Sequence, residues 1–183
     1  PVRVAISFLI LDYTLFVVHY LNHRIPFLWR FHLVHHADMD MDVTTSIRFH
    51  FGELACSSFF RVGFIFIFGI DVWTLLFFEA CITGFAMFNH ANLNLPSRLD
   101  GWLTRVLVTP RMHGIHHSVV TEETNSNYGT IFTIWDMLHR SLKLGIPQSG
   151  IVIGVPSHRK PEEQNLAADL MLPFRPTARV KTD

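Results

Sequence analysis

The sequence predicts an all-α protein, an integral membrane helical bundle with a histidine-rich di-metal cap on its cytoplasmic face. Three observations carry this expectation. Of the 183 residues, 49% are hydrophobic and 13% aromatic, with seventeen Phe among them. Charged residues make up 16%, where an average soluble domain carries about 25%. Eight of the twelve histidines fall into three clusters, His19-x-x-x-His23, His32-x-x-His35-His36 and His113-x-x-His116-His117, with apolar stretches before and between them. Imidazoles at i, i+3 and i+4 project from one helix face, so each cluster can present two or three nitrogens to one point.

The first element is the apolar stretch from Val2 to about Tyr20, interrupted only by Arg3, Asp12 and scattered Ser/Thr. At 1.5 Å per residue it approaches the ~30 Å of a hydrocarbon core. It delivers His19 and His23 at its exit, and Pro26 then breaks the helix. Phe27-Leu28-Trp29-Arg30-Phe31 leads into the second cluster, with Tyr20 and Trp29 suited to the membrane interface. Asp38, Asp40 and Asp42 follow and read as a solvated turn.

Leu54 to Phe88 is too long for one span. Gly69-Ile70-Asp71 inside it reads as a helix stop and a new N-cap, which makes a helical hairpin. Its arms are short for a full crossing and compatible with a partly re-entrant pair. Arg61 and Glu79 lie nine residues either side of Ile70 and so at equal depth. Charges in hydrocarbon are costly and usually paired, and these two are expected to meet. The hairpin leaves and returns on one side, so His90, at the foot of its second arm, joins the three clusters.

That side also holds Arg24, Arg30, Arg48, Arg98, Arg105, Arg111, Arg140 and Lys143, whereas the hairpin tip carries no basic residue. The positive-inside tendency then places the histidine face in the cytoplasm. Beyond it the chain is more polar. A short amphipathic segment spans 99–108, the third cluster 112–119, a polar turn 121–129 and an apolar-rich helical pattern 130–144. Residues 145–183 form a Pro- and Gly-rich tail with one amphipathic stretch at 162–172.

Other signals set limits. Net charge is zero, which gives no field toward nucleic acid. Cys56 and Cys81 lie in apolar stretches, which supplies no disulfide framework and suits a reducing compartment. The chain opens at Pro1 without a signal-peptide pattern, and the expectation is a fragment lacking an N-terminal segment. It is one unit in size, too short for two full domains.

Neutral imidazole suits Fe, Zn, Cu and Ni. Eight cluster histidines and His90 make nine candidate ligands, too many for one tetrahedral zinc and suited to two metals with four or five nitrogens each. A zincin protease needs His-Glu-x-x-His, but Tyr20 follows His19 and Gly114 follows His113, so that reading fails at its base. Soluble di-iron bundles use Glu and Glu-x-x-His pairs, which imidazoles replace here. A metal-binding or metal-transporting membrane protein without redox catalysis is the competing class. It calls for ionisable residues along several spans, rather than at one face.

In order along the chain, HYLNH, FLWRFHLVHHAD, NHANLNLP and TPRMHGIHHSVVTEETNSNYG followed by WD resemble the fatty acid hydroxylase/sterol desaturase superfamily. The resemblance runs from Asp12 to Asp136, and more loosely over Asn165 to Phe174. It implies a catalytic domain over 1–144. It also implies a membrane enzyme with a non-haem di-iron centre (two Fe ions) that uses O2 to hydroxylate or desaturate a lipid C–H bond. Electrons would come from NAD(P)H through a separate carrier of cytochrome b5 or ferredoxin type.

By the same resemblance the metal ligands are His19, His23, His32, His35, His36, His90, His113, His116 and His117. Asn92 or Asn94 is placed to hold a metal-bound water or simply to cap a loop. His50, in RFHFGE, is expected to act from behind the ligands, donating to a carboxylate such as Glu53. His139 and His158 read as surface or packing histidines. The Phe-rich hairpin offers an apolar approach for a lipid tail, though most of its rings are expected to face lipid or pack the hairpin.

Overall fold

The first apolar stretch folds as α1, Val2–Arg24, in a computed structural model that describes residues 1–175. The end of the tail, 176–183, lies outside the described residues. Ile25 is extended because the ring of Pro26 disfavours a helical residue before it, and Pro26 opens α2, Pro26–His36. The hairpin follows as α3, Phe51–Phe68, and α4, Val72–His90. Four short helices come next: α5 Ser97–Leu103, α6 Pro110–His116, α7 Thr121–Thr124 and α8 Ile134–Leu138. A last short helix, α9 Leu166–Met171, lies in the tail. Among the described residues the β pairing is limited to two isolated bridges, Leu107 with Phe132 and Ser118 with Ile153.

The helices α1, α3 and α4 are long and apolar enough to cross a membrane. The hairpin turn forms where its punctuation places it. Gly69 takes the left-handed conformation (φ 59°) that a side chain would resist, and Ile70 N–H closes back on Ile65 O at 3.0 Å. Asp71 then caps α4, accepting from Thr74 N at 3.0 Å and Thr74 Oγ1 at 2.7 Å. Halfway up the arms Arg61 Nη1 donates to Glu79 Oε1 at 2.5 Å, the expected ion pair.

Most hairpin aromatics point away from the protein, with Phe59, Phe66 and Trp73 at 79%, 80% and 77% exposure. Phe78 is the fully buried exception, in a cluster with Leu11 and Ile131. The far end is not free of basic residues, because Arg3 at the start of α1 donates to Gly69 O (2.6 Å).

The connection after α6 departs from the sequence reading. Only Ile134–Leu138 of the expected 130–144 helix is helical. The Asp136 carboxylate turns back to accept Tyr128 N, Gly129 N (both 2.8 Å) and Ser141 Oγ (2.6 Å). Arg140, at φ 58°, ends the helix, and Ser141 N–H returns to Asp136 O. A Cβ at Gly129 would lie 2.9 Å from both Asp136 Oδ2 and Phe132 O, so only glycine fits this closure.

The same connection partners one oxygen of Asp12, the acid in the middle of α1, while Oδ1 is buried without a partner. Asp12 Oδ2 accepts from Trp135 Nε1 at 2.7 Å and Phe132 N at 3.3 Å. The expected segment 99–108 is helical only through Leu103 and then turns.

The described tail clamps α2. Leu172 and Val155 pack with Leu33, Val34 and Ala37. Arg48 pairs with Asp169 (2.9 Å) and Asp38 (3.4 Å), while Gln164 Nε2 donates to Ala37 O. The acidic turn is therefore more built than expected. Asp38 accepts from Thr45 Oγ1 and Asp42 caps the 3-10 turn Val43–Ile47, while Asp40 is exposed.

Candidate metal centre

The nine histidines singled out from the sequence converge at the end of the bundle opposite the hairpin tip, in two groups. One comprises His19, His23, His32, His36 and His116, the other His35, His90, His113 and His117. Within each group one ring nitrogen per residue lies within 4.8 Å of the others. Four segments contribute: the last two turns of α1, the C-terminal half of α2, the last residue of α4, and α6 with the residue after it. The HxxHH spacing divides its histidines between the groups. His32 and His36, one turn apart, face the first, and His35 faces the second. In the other box His116 joins the first group, while His113 and His117 join the second.

Buried polar anchors hold these segments. Thr109 caps α6 and donates Oγ1–H to Asp100 Oδ1 (2.7 Å), while Arg111 grips Asp100 Oδ2 at 2.7 Å from both Nε and Nη2. Asn127 ties Met112 O to the main chain of Lys143. Asn89, beside His90, donates to Thr130 O at 2.7 Å.

Four ring orientations are fixed from behind. His19 Nδ1–H donates to Tyr128 O (2.8 Å), His90 Nδ1–H to Ala86 O (2.7 Å) and His116 Nδ1–H to Ser126 O (2.7 Å). His32 Nδ1–H donates to Glu53 Oε1 (2.7 Å), which also accepts from Asn22 Nδ2 at 3.1 Å. A carbonyl or carboxylate can only accept, so in all four rings Nδ1 carries a proton and Nε2 is the nitrogen turned toward the other imidazoles.

The donor set fits metal ions. Nε2 atoms approach one another at 3.1 Å (His36–His32, His90–His35, His117–His113) and 2.9 Å (His113–His90). At these separations neighbouring Nε2 atoms converge on a shared proton or on a shared cation. Nε2 of His19 and His116 and both nitrogens of His23 are buried without partners. Burial, reinforced by neighbouring imidazoles, holds His35, His36, His113 and His117 well below their ordinary pKa. Burial likewise brings His116 down to about 3. These rings are neutral, the state a metal requires.

The expectation for His50 is corrected. His50 does not donate to Glu53. Its Nδ1 accepts from Gly52 N (3.0 Å) as the N-cap of α3, and its Nε2–H points to Leu170 O (3.3 Å). Asn92 and Asn94 are exposed. Asn92 lines a cavity of about 330 Å³ bordered by Ala91 and Gly114, the residues that follow His90 and His113. The polar residues behind the histidines are Glu53, which serves His32 in place of the expected His50, together with Asn22 and the Ser126–Tyr128 turn. His139 packs on Phe16 and contacts Tyr13 Oη at 3.1 Å, and His158 contacts Ser157 Oγ.

The sequence pattern of the fatty acid hydroxylase family matches residues 4–141, and the chain belongs to that family. It is 31% identical over 140 residues to the ornithine lipid hydroxylase OlsE of Rhizobium tropici, covering 74% of this chain and 40% of that protein. Cholesterol 25-hydroxylase of Homo sapiens is 28% identical over 144 residues, 77% of this chain and 51% of that protein. Alkylglycerol monooxygenase of Xenopus tropicalis is 27% identical over 142 residues, 73% of this chain and 29% of that protein. The chain thus spans about half or less of the length of these relatives. No solved structure matches it.

Proposed function

We propose that this chain is the catalytic domain, residues 1–144 with its tail, of a membrane enzyme that hydroxylates a lipid C–H bond with O2. The observation that carries the reading is the pair of buried all-histidine groups, five and four strong, in a chain of the fatty acid hydroxylase family. Two iron ions held there would supply the O2-dependent redox chemistry that an unactivated C–H bond requires. An all-nitrogen site suits iron better than magnesium or calcium, which favour oxygen donors.

The nine histidines are the proposed ligands. His19, His32, His90 and His116 present Nε2 in preset ring orientations, and burial keeps competing water from the nitrogens. The lipid is proposed to approach along α4. An apolar groove of about 470 Å³, lined by Cys81, Gly84, Phe85, Phe88, Leu103 and Leu107, ends two residues from His90. Hydroxylation is favoured over desaturation because the relatives quoted are named hydroxylases and monooxygenases.

The histidine face is assigned to the cytoplasm, where an NAD(P)H-fed carrier of cytochrome b5 or ferredoxin type would deliver electrons. The test is lipid profiling of a host expressing the full-length protein or its His116→Ala variant. A lipid gaining one oxygen atom only with the unaltered protein is expected. No new lipid from an iron-loaded protein supplied with O2 and reductant would overturn the proposal.

A further inference from the structure

The two histidine groups differ in what stands behind them. We propose that they are unequal metal sites: the five-histidine group, anchored by Glu53, retains its metal, and the four-histidine group is the exchangeable, cavity-side site. This rests on the metal-binding reading above and goes beyond it by giving each group its own part.

Three of the five imidazoles in the first group are held through Nδ1, by Tyr128 O, Glu53 Oε1 and Ser126 O. In the second group the corresponding bond is made by His90 alone, to Ala86 O, and Nδ1 of His35, His113 and His117 is buried without a partner. An imidazole whose ring is fixed loses less freedom when it binds a metal, and its acceptor raises ligand basicity. Losing such a partner typically weakens metal binding about 10–100-fold.

Glu53 is the only carboxylate bonded to any of the nine rings in the described structure. It is buried, sits in the first turn of α3 and is steadied by Asn22. Its second oxygen, Oε2, is buried without a hydrogen-bond partner. Glu53 is therefore a positioning residue that acts on the metal through His32.

The cavity of about 330 Å³ is bordered by Ala91 and Gly114, which follow His90 and His113 of the second group in sequence.

The experiment loads the full-length protein with Co(II) and follows its removal by EDTA, through metal content and the visible bands of bound Co(II). Two phases are expected, the faster removing one metal per chain. His90→Ala should abolish the fast phase and leave the slow one. Glu53→Gln should accelerate the slow phase about 10–100-fold and leave the fast phase unchanged, and Asn22→Ala should do so to a smaller degree. Thermal unfolding of each metal-free variant separates a metal effect from loss of fold. One uniform phase in the unaltered protein, or equal acceleration of both phases by Glu53→Gln, would overturn the assignment while leaving metal binding intact. Failure to bind Co(II) at all would instead remove the reading on which it rests.

Discussion

The hairpin and the histidine end are held together by different means. In the hairpin nearly every feature has a local cause: Gly69 stops α3, Asp71 starts α4, and apolar rings face outward along both arms. The ion pair between its arms, Arg61 with Glu79, joins residues at equal depth. At the histidine end, contacts within one helical turn are joined by others between distant segments. His19 is held by Tyr128, His32 by Glu53, and His90 meets both His35 and His113. A bilayer accepts an apolar helix with little further specification, whereas a cluster of nine imidazoles exists only where distant segments are fixed by buried polar bonds.

The sharpest way to break the contrast is at a ligand. His113 Nε2 lies against both His90 and His117. His113→Ala is expected to lower oxygenation by at least ~100-fold, more than the loss typical of a partner behind a ligand. Metal content should fall while helical circular dichroism is kept. Wild-type turnover by this variant would show that the site does not depend on that ring. Next in size is Asp136→Ala, which strands the amides of Tyr128 and Gly129 beside the carbonyl that holds His19. A stranded buried donor costs about 1–3 kcal/mol, so a lower melting temperature and weaker metal retention should appear together. Loss of stability with unchanged metal retention would uncouple this turn from the site.

Arg61→Leu addresses the hairpin alone. It leaves Glu79 unpaired at membrane depth, with an expected loss of about 2–3 kcal/mol in a bilayer. Arg61→Leu with Glu79→Leu should recover most of it, because replacing both members of such a pair is often neutral. Metal content should follow the folded fraction in both variants. A double variant as unstable as the single one would mean that the pair has a further partner.

What the sequence showed follows the same division. The hairpin, its turn and its ion pair were legible because glycine, aspartate and charge spacing act over a few residues. The nine histidines were legible because their spacing is helical and a hairpin returns the chain to the same end. The pairings behind them were not. Glu53 sits twenty-one positions from the ring it holds and Asp12 one hundred and twenty-three from Trp135, and no periodicity records such pairings. Asp136 misled the reading in a definite way. Its side chain takes main-chain amides from an earlier turn, so an apolar run of helical character stops after five residues.

His50 marks the boundary between the two regions, and the structure gives it a different task from the one its motif suggested. It caps the first turn of α3 through Nδ1, and that same turn carries Glu53. Removing a helix N-cap costs about 0.5–2 kcal/mol, so His50→Ala should lower the melting temperature modestly. His50→Asp, which can accept from the same amide, should restore most of the loss. Metal content at saturating Co(II) should stay unchanged in both, because His50 touches none of the nine ligand rings in the described contacts. Loss of bound metal from His50→Asp despite recovered stability would reject the capping assignment and restore a direct role for this histidine at the centre.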